Sequence, residues 1–198
     1  MLRRLKHVNS NLEERERIWE LELGALQGNY FWNICYLMNK SIFFDNRLKW
    51  LNYQIIRGTL KTNRIICKFV PGITAQCTFC NAEVETISHL FYNCPVVSQF
   101  SNRLYMFFEN LWPEINARPC LKNFVFGNRN LDFCKPENLL CLYVKQYIWI
   151  TRCKKKNLNL NAFVSWFKIE QKINHLAYMS DPRLGYLNTP MYRLENMQ

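Results

Sequence analysis

The amino-acid sequence predicts an all-α fold, an irregular helical domain with a small CCHC zinc knuckle. In most segments, apolar residues recur at helical spacing between candidate caps. With 198 residues, 49% of them hydrophobic, the chain can bury a sizeable core and is too apolar for intrinsic disorder. The knuckle is predicted by four residues that follow one another at metal-ligand spacing: Cys77, Cys80, His89 and Cys94.

Two helices are predicted near the N-terminus. Ser10 and Glu13 form a capping box that opens a helix over about residues 11–27, and Gly28 is suited to end it. Residues 29–44 are rich in aromatic and aliphatic side chains. This composition predicts a buried helix.

Two shorter helices are predicted before the knuckle. Asn46 is a candidate cap for a helix over residues 47–57, whose apolar positions recur every three to four residues, with Trp50 as a candidate member of that face. Thr62 is a candidate cap for the next helix, which the Pro71-Gly72 turn ends. A helix-turn-helix reader would have this outline, but nothing in the sequence distinguishes a recognition helix.

Three helices are predicted after the knuckle. Apolar positions define helices over residues 96–112, 139–150 and 159–178, the second of them opened by Pro136. Aromatic residues such as Phe100 could form a platform for stacked bases, but their spacing favours core packing. The chain is thus expected to divide into an N-terminal helical segment, a basic helix pair with the knuckle, a C-terminal helical region and an irregular tail: residues 1–45, 46–112, 113–180 and 181–198.

Positive charge is concentrated in two segments. The net charge is +11, yet residues 1–46 are neutral. A stretch of six basic residues without an acid runs from Arg47 to Lys68, and seven basic residues accompany Glu170 alone between Lys145 and Lys172. Clustered Lys and Arg side chains bind polyanions by releasing phosphate counterions; a merely basic surface is the alternative. The candidate nucleic-acid contacts are Arg47, Lys49, Arg57, Lys61, Arg64, Lys68, Lys154, Lys155 and Lys156.

The cysteine pattern indicates a structural metal site. A Cys-x2-Cys turn can place two thiolates on one zinc ion, and a His and a Cys from a following helix, predicted over residues 83–93, can complete a tetrahedron. Cys94 is expected at the frayed end of that helix, before Pro95. Cys67 is a rival ligand. The remaining cysteines lie among apolar residues and are interpreted as small core side chains: Cys35, Cys120, Cys134, Cys141 and Cys153.

Two stretches together resemble a known family. Residues 47–63 read RLKWLNYQIIRGTLKTN, and residues 85–95, after the Cys77 and Cys80 pair, read ETISHLFYNCP. This combination is similar to the zinc-binding C-terminal segment of reverse transcriptases of LINE-type (non-LTR) retrotransposons. The resemblance is strong over residues 47–95 and poor over residues 1–43. It implies Zn²⁺ as cofactor, with Cys77, Cys80, His89 and Cys94 as its ligands.

Catalysis is not expected. The polymerase of that family uses a Tyr-x-Asp-Asp metal site, whereas the three aspartates of this chain, Asp45, Asp132 and Asp181, are widely scattered. Two-metal chemistry needs carboxylates gathered within a few ångströms. The sequence also lacks the His-x-Glu motif of zinc deaminases, a phosphate-binding loop and a nucleophile elbow.

The predicted function is therefore non-catalytic binding of RNA template or of single-stranded or nicked target DNA. The alternatives are a protein-interaction module that docks a reverse transcriptase core and a non-functional retrotransposon remnant. A membrane is not expected as a partner, since the longest apolar stretches are too short to span a bilayer. A small-molecule substrate is not expected either. The N-terminus lacks an apolar signal core. An intracellular location, in the nucleus or cytoplasm, is expected.

Overall fold

The computed structural model describes residues 18–23, 29–41, 45–111, 119–128 and 136–180. These residues contain no β-strand, only an isolated antiparallel bridge between Gln76 and Val84, so the predicted all-α fold class is confirmed. The helices in chain order are α1 (18–23), α2 (Asn29–Ser41), α3 (Asn46–Ile56), α4 (Asn63–Ile66), a π-helical turn (His89–Asn93), α5 (Pro95–Glu109), α6 (Leu121–Phe126), α7 (Pro136–Cys153) and α8 (Leu160–Ser180).

Helix α7 lies at the centre of the described fold. Its residues from Leu139 to Ile148 are buried almost without exception, so the helix is covered on all sides. It packs against α3 and α6. Aromatic rings from α5, α7 and α8 meet in one cluster, in which Phe163 lies 5.2 Å from Tyr147 and 6.1 Å from Phe108, between ring centroids. Edge-to-face contacts of this kind add to the free energy gained by burying each ring.

A second aromatic cluster holds the N-terminal helices. Trp19 of α1 and the α2 residues Phe31 and Trp32 surround Phe126, with centroid distances of 5.2 to 5.5 Å. The indole of Trp19 also donates a hydrogen bond to the carbonyl oxygen of Ile56 (3.1 Å). No predicted element corresponds to α6, the short helix that carries Phe126.

Two details of α3 differ from the prediction. Asp45, not Asn46, caps the helix, because its carboxylate accepts hydrogen bonds from the amides of Arg47 (2.7 Å) and Leu48 (3.3 Å). Trp50 is 61% exposed and lies outside the buried face. Its neighbour Leu51 is on that face, and adjacent helical residues point about 100° apart.

The cysteine interpretation was partly wrong. Cys35 and Cys141 are buried as expected, but Cys120 and Cys153 are exposed. These two residues stand at helix ends, immediately before α6 and at the last position of α7. Charged residues stand close to both cysteines in the sequence, among them Arg152 and Lys154 beside Cys153, and a helix end among such residues lies at the surface. Four predicted features lie outside the described residues: the Ser10 cap, the Gly28 cap, Cys134 and the 181–198 tail.

No described helix is both long and apolar enough to cross a membrane.

A buried lysine links three helices. Lys145 of α7 is 2% exposed, and its ammonium group donates to Asn52 Oδ1 of α3 (2.5 Å) and to the Val125 carbonyl oxygen of α6 (3.0 Å). Asn52 in turn donates to Asn39 Oδ1 of α2 (3.0 Å). Within the described residues no carboxylate lies within ion-pair distance of this ammonium group. Burial lowers the pKa of Lys145 to about 8, because the charged form is poorly solvated.

We predict that Lys145→Met reduces the change in unfolding free energy with pH. A lysine pKa that is lower in the folded state costs stability while the ammonium is charged, and this cost is relieved as pH rises from about 8 towards the unfolded value of 10.5. Between pH 7 and pH 10 the wild type should therefore gain up to about 3 kcal/mol of unfolding free energy relative to the variant. Urea unfolding across this range measures the difference. A difference in unfolding free energy between the two proteins that stays constant from pH 7 to pH 10 would contradict the lowered pKa of Lys145.

Candidate metal centre

The first two candidate ligands lie on a short hairpin. The amide of Cys77 donates to the carbonyl oxygen of Glu83 (2.8 Å), and the amide of Glu85 donates to that of Ala75 (2.8 Å). Asn81 closes the turn with a φ of 54°, a left-handed conformation that asparagine tolerates better than most residues. The turn brings Cys77 and Cys80 to the same side of the hairpin, as a zinc knuckle requires.

The other two candidate ligands flank a π-helical turn. Helical structure begins only at residue 87, so the expected helix over residues 83–93 is too long at its N-terminus: Glu83 pairs in the hairpin instead. The amide of Cys94 donates to the His89 carbonyl oxygen (2.8 Å), which closes a five-residue turn. Cys94 is thus held by a hydrogen bond and directly precedes α5. The expectation that it lies at a frayed helix end was wrong. The wider turn accommodates the five-residue step from His89 to Cys94.

The four side chains converge on one point. Their ligand atoms all lie within 4.8 Å of one another. Cys77 Sγ is 3.8 Å from Cys94 Sγ, and Cys80 Sγ is 3.4 Å from His89 Nε2. A tetrahedron with zinc–sulfur bonds of about 2.3 Å has sulfur–sulfur edges of about 3.8 Å, whereas a disulfide would bring the sulfurs to about 2.05 Å. The geometry therefore fits a tetrahedral S₃N metal site.

Burial makes this cluster depend on a cation. Burial raises the pKa of the Cys77 thiol to about 12 and also raises that of Cys94. At Cys80 burial acts in the same direction, but hydrogen bonds from the Glu83 and Ala82 amides and from His89 outweigh it and lower the pKa to about 6. Two buried thiols that resist ionisation need a bound cation to become thiolates. Zn²⁺ supplies that charge and prefers this set of ligands.

The histidine is oriented for coordination through Nε2. His89 is 3% exposed, and its amide donates to Thr86 Oγ1 (3.0 Å), which fixes the start of the turn. Its Nδ1 atom is buried without a well-aligned hydrogen bond, although a Glu83 carboxylate oxygen lies 3.3 Å away. An outer carboxylate commonly accepts the second N–H of a zinc-bound histidine. Cys67, the rival ligand, is outside the cluster, with its Sγ 3.5 Å from the Arg64 carbonyl oxygen.

A buried carboxylate ties the hairpin to two helices. Glu85 is fully buried and accepts hydrogen bonds from the Asn63 amide (2.8 Å), from the Thr78 amide and hydroxyl (2.9 Å each) and from Arg152 (2.7 and 3.2 Å). Arg152 also donates to Asn63 Oδ1 (2.6 Å). Burial opposes ionisation of Glu85, but the hydrogen bonds from Arg152, Thr78 and Asn63 prevail and lower its pKa. The hairpin, the start of α4 and the end of α7 thus share one carboxylate.

Sequence reasoning missed this network. Glu85 and Asn63 stand in the two family-like stretches, but no periodicity pairs them, and Arg152 is only one of the seven basic residues between Lys145 and Lys172. Thr62 precedes α4 as predicted, yet its hydroxyl makes no capping hydrogen bond. The carboxylate of Glu85, distant in sequence, caps α4 in its place.

The predicted nucleic-acid contacts differ in their surroundings. Arg47 forms ion pairs with Asp45 (3.0 Å) and Glu170 (3.2 Å), so much of its charge is compensated. The guanidinium of Arg57 lies over the Tyr53 and Tyr36 rings, at 5.8 and 5.7 Å. Lys49 lies partly buried beside α2. The other six are exposed: Lys61, Arg64, Lys68, Lys154, Lys155 and Lys156.

A groove of about 600 Å³ runs beside the cysteine cluster. The hairpin contributes one wall through Thr78, Phe79 and Asn81, and α4 contributes Asn63 and Ile66. The end of α7 contributes Arg152, and the segment that follows it contributes Lys155 and Lys156. Segments from both basic regions of the sequence therefore border one groove.

Comparison with known proteins agrees with this geometry. Residues 14–100 match a family described as zinc-binding in reverse transcriptase. The match covers just under half of the chain and includes all four clustered side chains. It supports a reverse-transcriptase-associated zinc domain, an accessory unit distinct from a catalytic one. No curated protein and no solved structure gave a significant match. The match and the S₃N cluster together assign Zn²⁺ as the cofactor of a zinc-binding domain.

We predict that Cys80→Ser removes the metal. The wild type, purified without chelator, should hold about one zinc ion per chain, and the variant should hold much less. Because structural zinc contributes on the order of 10 kcal/mol to folding, the variant should also melt at a much lower temperature. Plasma mass spectrometry and thermal unfolding measure both effects. Cys67→Ser is the matched control and should retain zinc; equal zinc in all three proteins would contradict the site.

We predict that Glu85→Gln destabilises the domain by about 3 kcal/mol or more, because it leaves Arg152 buried without its anionic partner. The contribution of Glu85 is present above its unfolded pKa of 4.5 and is lost as pH falls through its lower folded value. Urea unfolding at pH 7 measures the change. Glu109→Gln, at an exposed position, is the matched control. Equal stabilities of the two variants would show that the network contributes little.

Proposed function

We propose that this protein is a non-catalytic, zinc-stabilised nucleic-acid-binding domain of a LINE-type reverse transcriptase, located C-terminal to the polymerase. Its ligand would be RNA template or single-stranded or nicked target DNA. The observation that carries the proposal is the groove beside the cysteine cluster, where the two basic segments meet. The sequence stretches RLKWLNYQIIRGTLKTN and ETISHLFYNCP support the LINE-type origin.

The groove has the composition of a site for single strands. Lys155 and Lys156 are exposed at its edge, where they can contact phosphates without desolvation. Phe79, Ile66 and Leu158 supply apolar surface in its walls. A positively charged groove with apolar and aromatic walls accommodates a backbone and its unpaired bases together. Lys61, Arg64 and Lys68 are exposed before, within and after α4, and they add positive charge to this part of the chain.

Zinc has a structural role in this proposal. Cys77, Cys80, His89 and Cys94 would serve as its four ligands. A complete S₃N set leaves no open coordination position for a catalytic water, unlike the three-ligand sites of zinc enzymes. When bound, the ion supplies the positive charge that keeps the three thiols ionised. The chain's own contribution is to hold the hairpin against α4 and α7 through Glu85, and so to fix the groove.

We predict that Lys155→Glu combined with Lys156→Glu weakens binding of a single-stranded oligonucleotide. Removing two phosphate contacts should reduce the slope of log affinity against log salt by about 1.4. Fluorescence anisotropy across a salt series measures both affinity and slope. Lys168→Glu with Lys172→Glu is the control for total charge, since neither side chain borders the groove.

Identical losses in the two double variants would show that net charge, not the groove, governs binding. Unchanged affinity after Lys61→Glu with Arg64→Glu would show that these two side chains do not contact the nucleic acid. Unchanged affinity in every variant would contradict nucleic-acid binding at this surface.

A protein-interaction module is the second candidate. Helix α2 exposes two large apolar side chains seven positions apart, Tyr30 (77% exposed) and Leu37 (61% exposed). Residues at this spacing lie on the same helix face and can dock against a reverse transcriptase core. In that case Tyr30→Ala with Leu37→Ala should weaken binding of the polymerase core while leaving oligonucleotide affinity unchanged. Titration of both partners distinguishes the two functions.

A further inference from the structure

A second surface outside the cysteine cluster has the features of a binding site. It is a groove of about 580 Å³ between α2 and α3. Two rings on α3 form part of its wall, and lysines from both helices stand beside them. The described lining contains no acidic side chain and consists of Asn39, Lys40, Asn46, Lys49, Trp50 and Tyr53.

The rings in this groove are already ordered as a stack. Trp50 and Tyr53 lie with centroids 5.7 Å apart and planes inclined by 22°. The guanidinium of Arg57 lies 5.8 Å from the Tyr53 centroid and 5.7 Å from that of Tyr36, which extends the column across to α2. Residues 50, 53 and 57 share one face of α3 because they are three and four positions apart. The column is therefore preformed by the helix itself.

Trp50 places a large aromatic side chain on the outer face of α3. Its side chain is 61% exposed, although the buried face of α3 packs well through Leu48, Leu51 and Ile55. One ring face lies against Tyr53, and a large part of the remaining indole surface is open to solvent. A flat ring beside lysines attracts a ligand that combines a π-face with negative charge.

We infer that Trp50 stacks on an unpaired base of a bound nucleic acid strand, and that Lys40 and Lys49 bind the adjacent phosphates. This inference rests on the proposed nucleic-acid-binding function and assigns it a second contact surface. A base placed on Trp50 would lengthen the existing column of rings. The positive rim and the absence of acids from the described lining favour an anionic partner over a neutral or basic peptide segment, and the exposed ring of Trp50 favours the bases of a nucleic acid over the carboxylates of an acidic peptide. Because only an unpaired base can stack on the ring, this surface would select single strands over duplexes. Base stacking tolerates any sequence, so no sequence preference is expected.

The test compares a labelled oligouridylate with an abasic strand of equal length at physiological ionic strength. Wild-type zinc protein should bind the oligouridylate about tenfold more tightly than the abasic strand, because only the former can stack. Trp50→Ala should lose most of this preference, since base contacts in the groove beside the cysteine cluster remain, and should retain the wild-type affinity for the abasic strand. Trp50→Phe should retain part of the preference. Tyr30→Ala, which changes an aromatic residue of similar exposure outside the groove, is the matched control and should behave as wild type.

Each result has a separate meaning. Full preference in Trp50→Ala overturns the stacking inference alone and leaves protein docking as the reason for the exposed ring. Equal losses on both strands also overturn it, since Trp50 would then serve something other than a base. No binding of either strand by the wild type overturns the proposed function itself, and the inference with it.

Discussion

Tetrahedral closure of one S₃N cluster is the constraint on which the candidate site depends. The hairpin around Cys77 and Cys80 has only one isolated bridge and a few backbone hydrogen bonds, too little to be stable alone. His89 begins a π-helical turn and Cys94 directly follows it, and this conformation is rarer than an α-helix. Zinc at the cluster supplies the free energy that holds both elements together, and α5 starts directly from the last ligand position.

Glu85 connects the hairpin of the metal cluster to the rest of the fold. Its carboxylate is buried and fully satisfied by groups of the hairpin, of α4 and of α7. Arg152, near the end of the central helix α7, binds this carboxylate and precedes Lys155 and Lys156 by three and four positions. The positions of the exposed lysines thus follow from a buried ion pair. Loss of the metal would be expected to loosen the groove as well as the knuckle.

The sequence predicted those features that depend on local spacing. Helical periodicity and the Cys-x2-Cys pattern correctly indicated the fold class and the four side chains that converge. The π-helical turn was not predictable, because a five-residue step before a proline fits a frayed helix end equally well. The Glu85–Arg152 pair depends on contacts across 67 positions, which spacing within a segment does not reveal. Exposure of Trp50 depends on which face of α3 meets α7, a property of tertiary packing.

X-ray absorption at the zinc edge measures directly which atoms surround the metal ion. A closed S₃N site should show three sulfur atoms at about 2.3 Å and one nitrogen atom at about 2.0 to 2.1 Å around each zinc ion, without a water oxygen. His89→Cys should convert this spectrum to four sulfur atoms. A wild-type spectrum with only two sulfur atoms, or with an oxygen in the first shell, would contradict a closed site formed by Cys77, Cys80, His89 and Cys94.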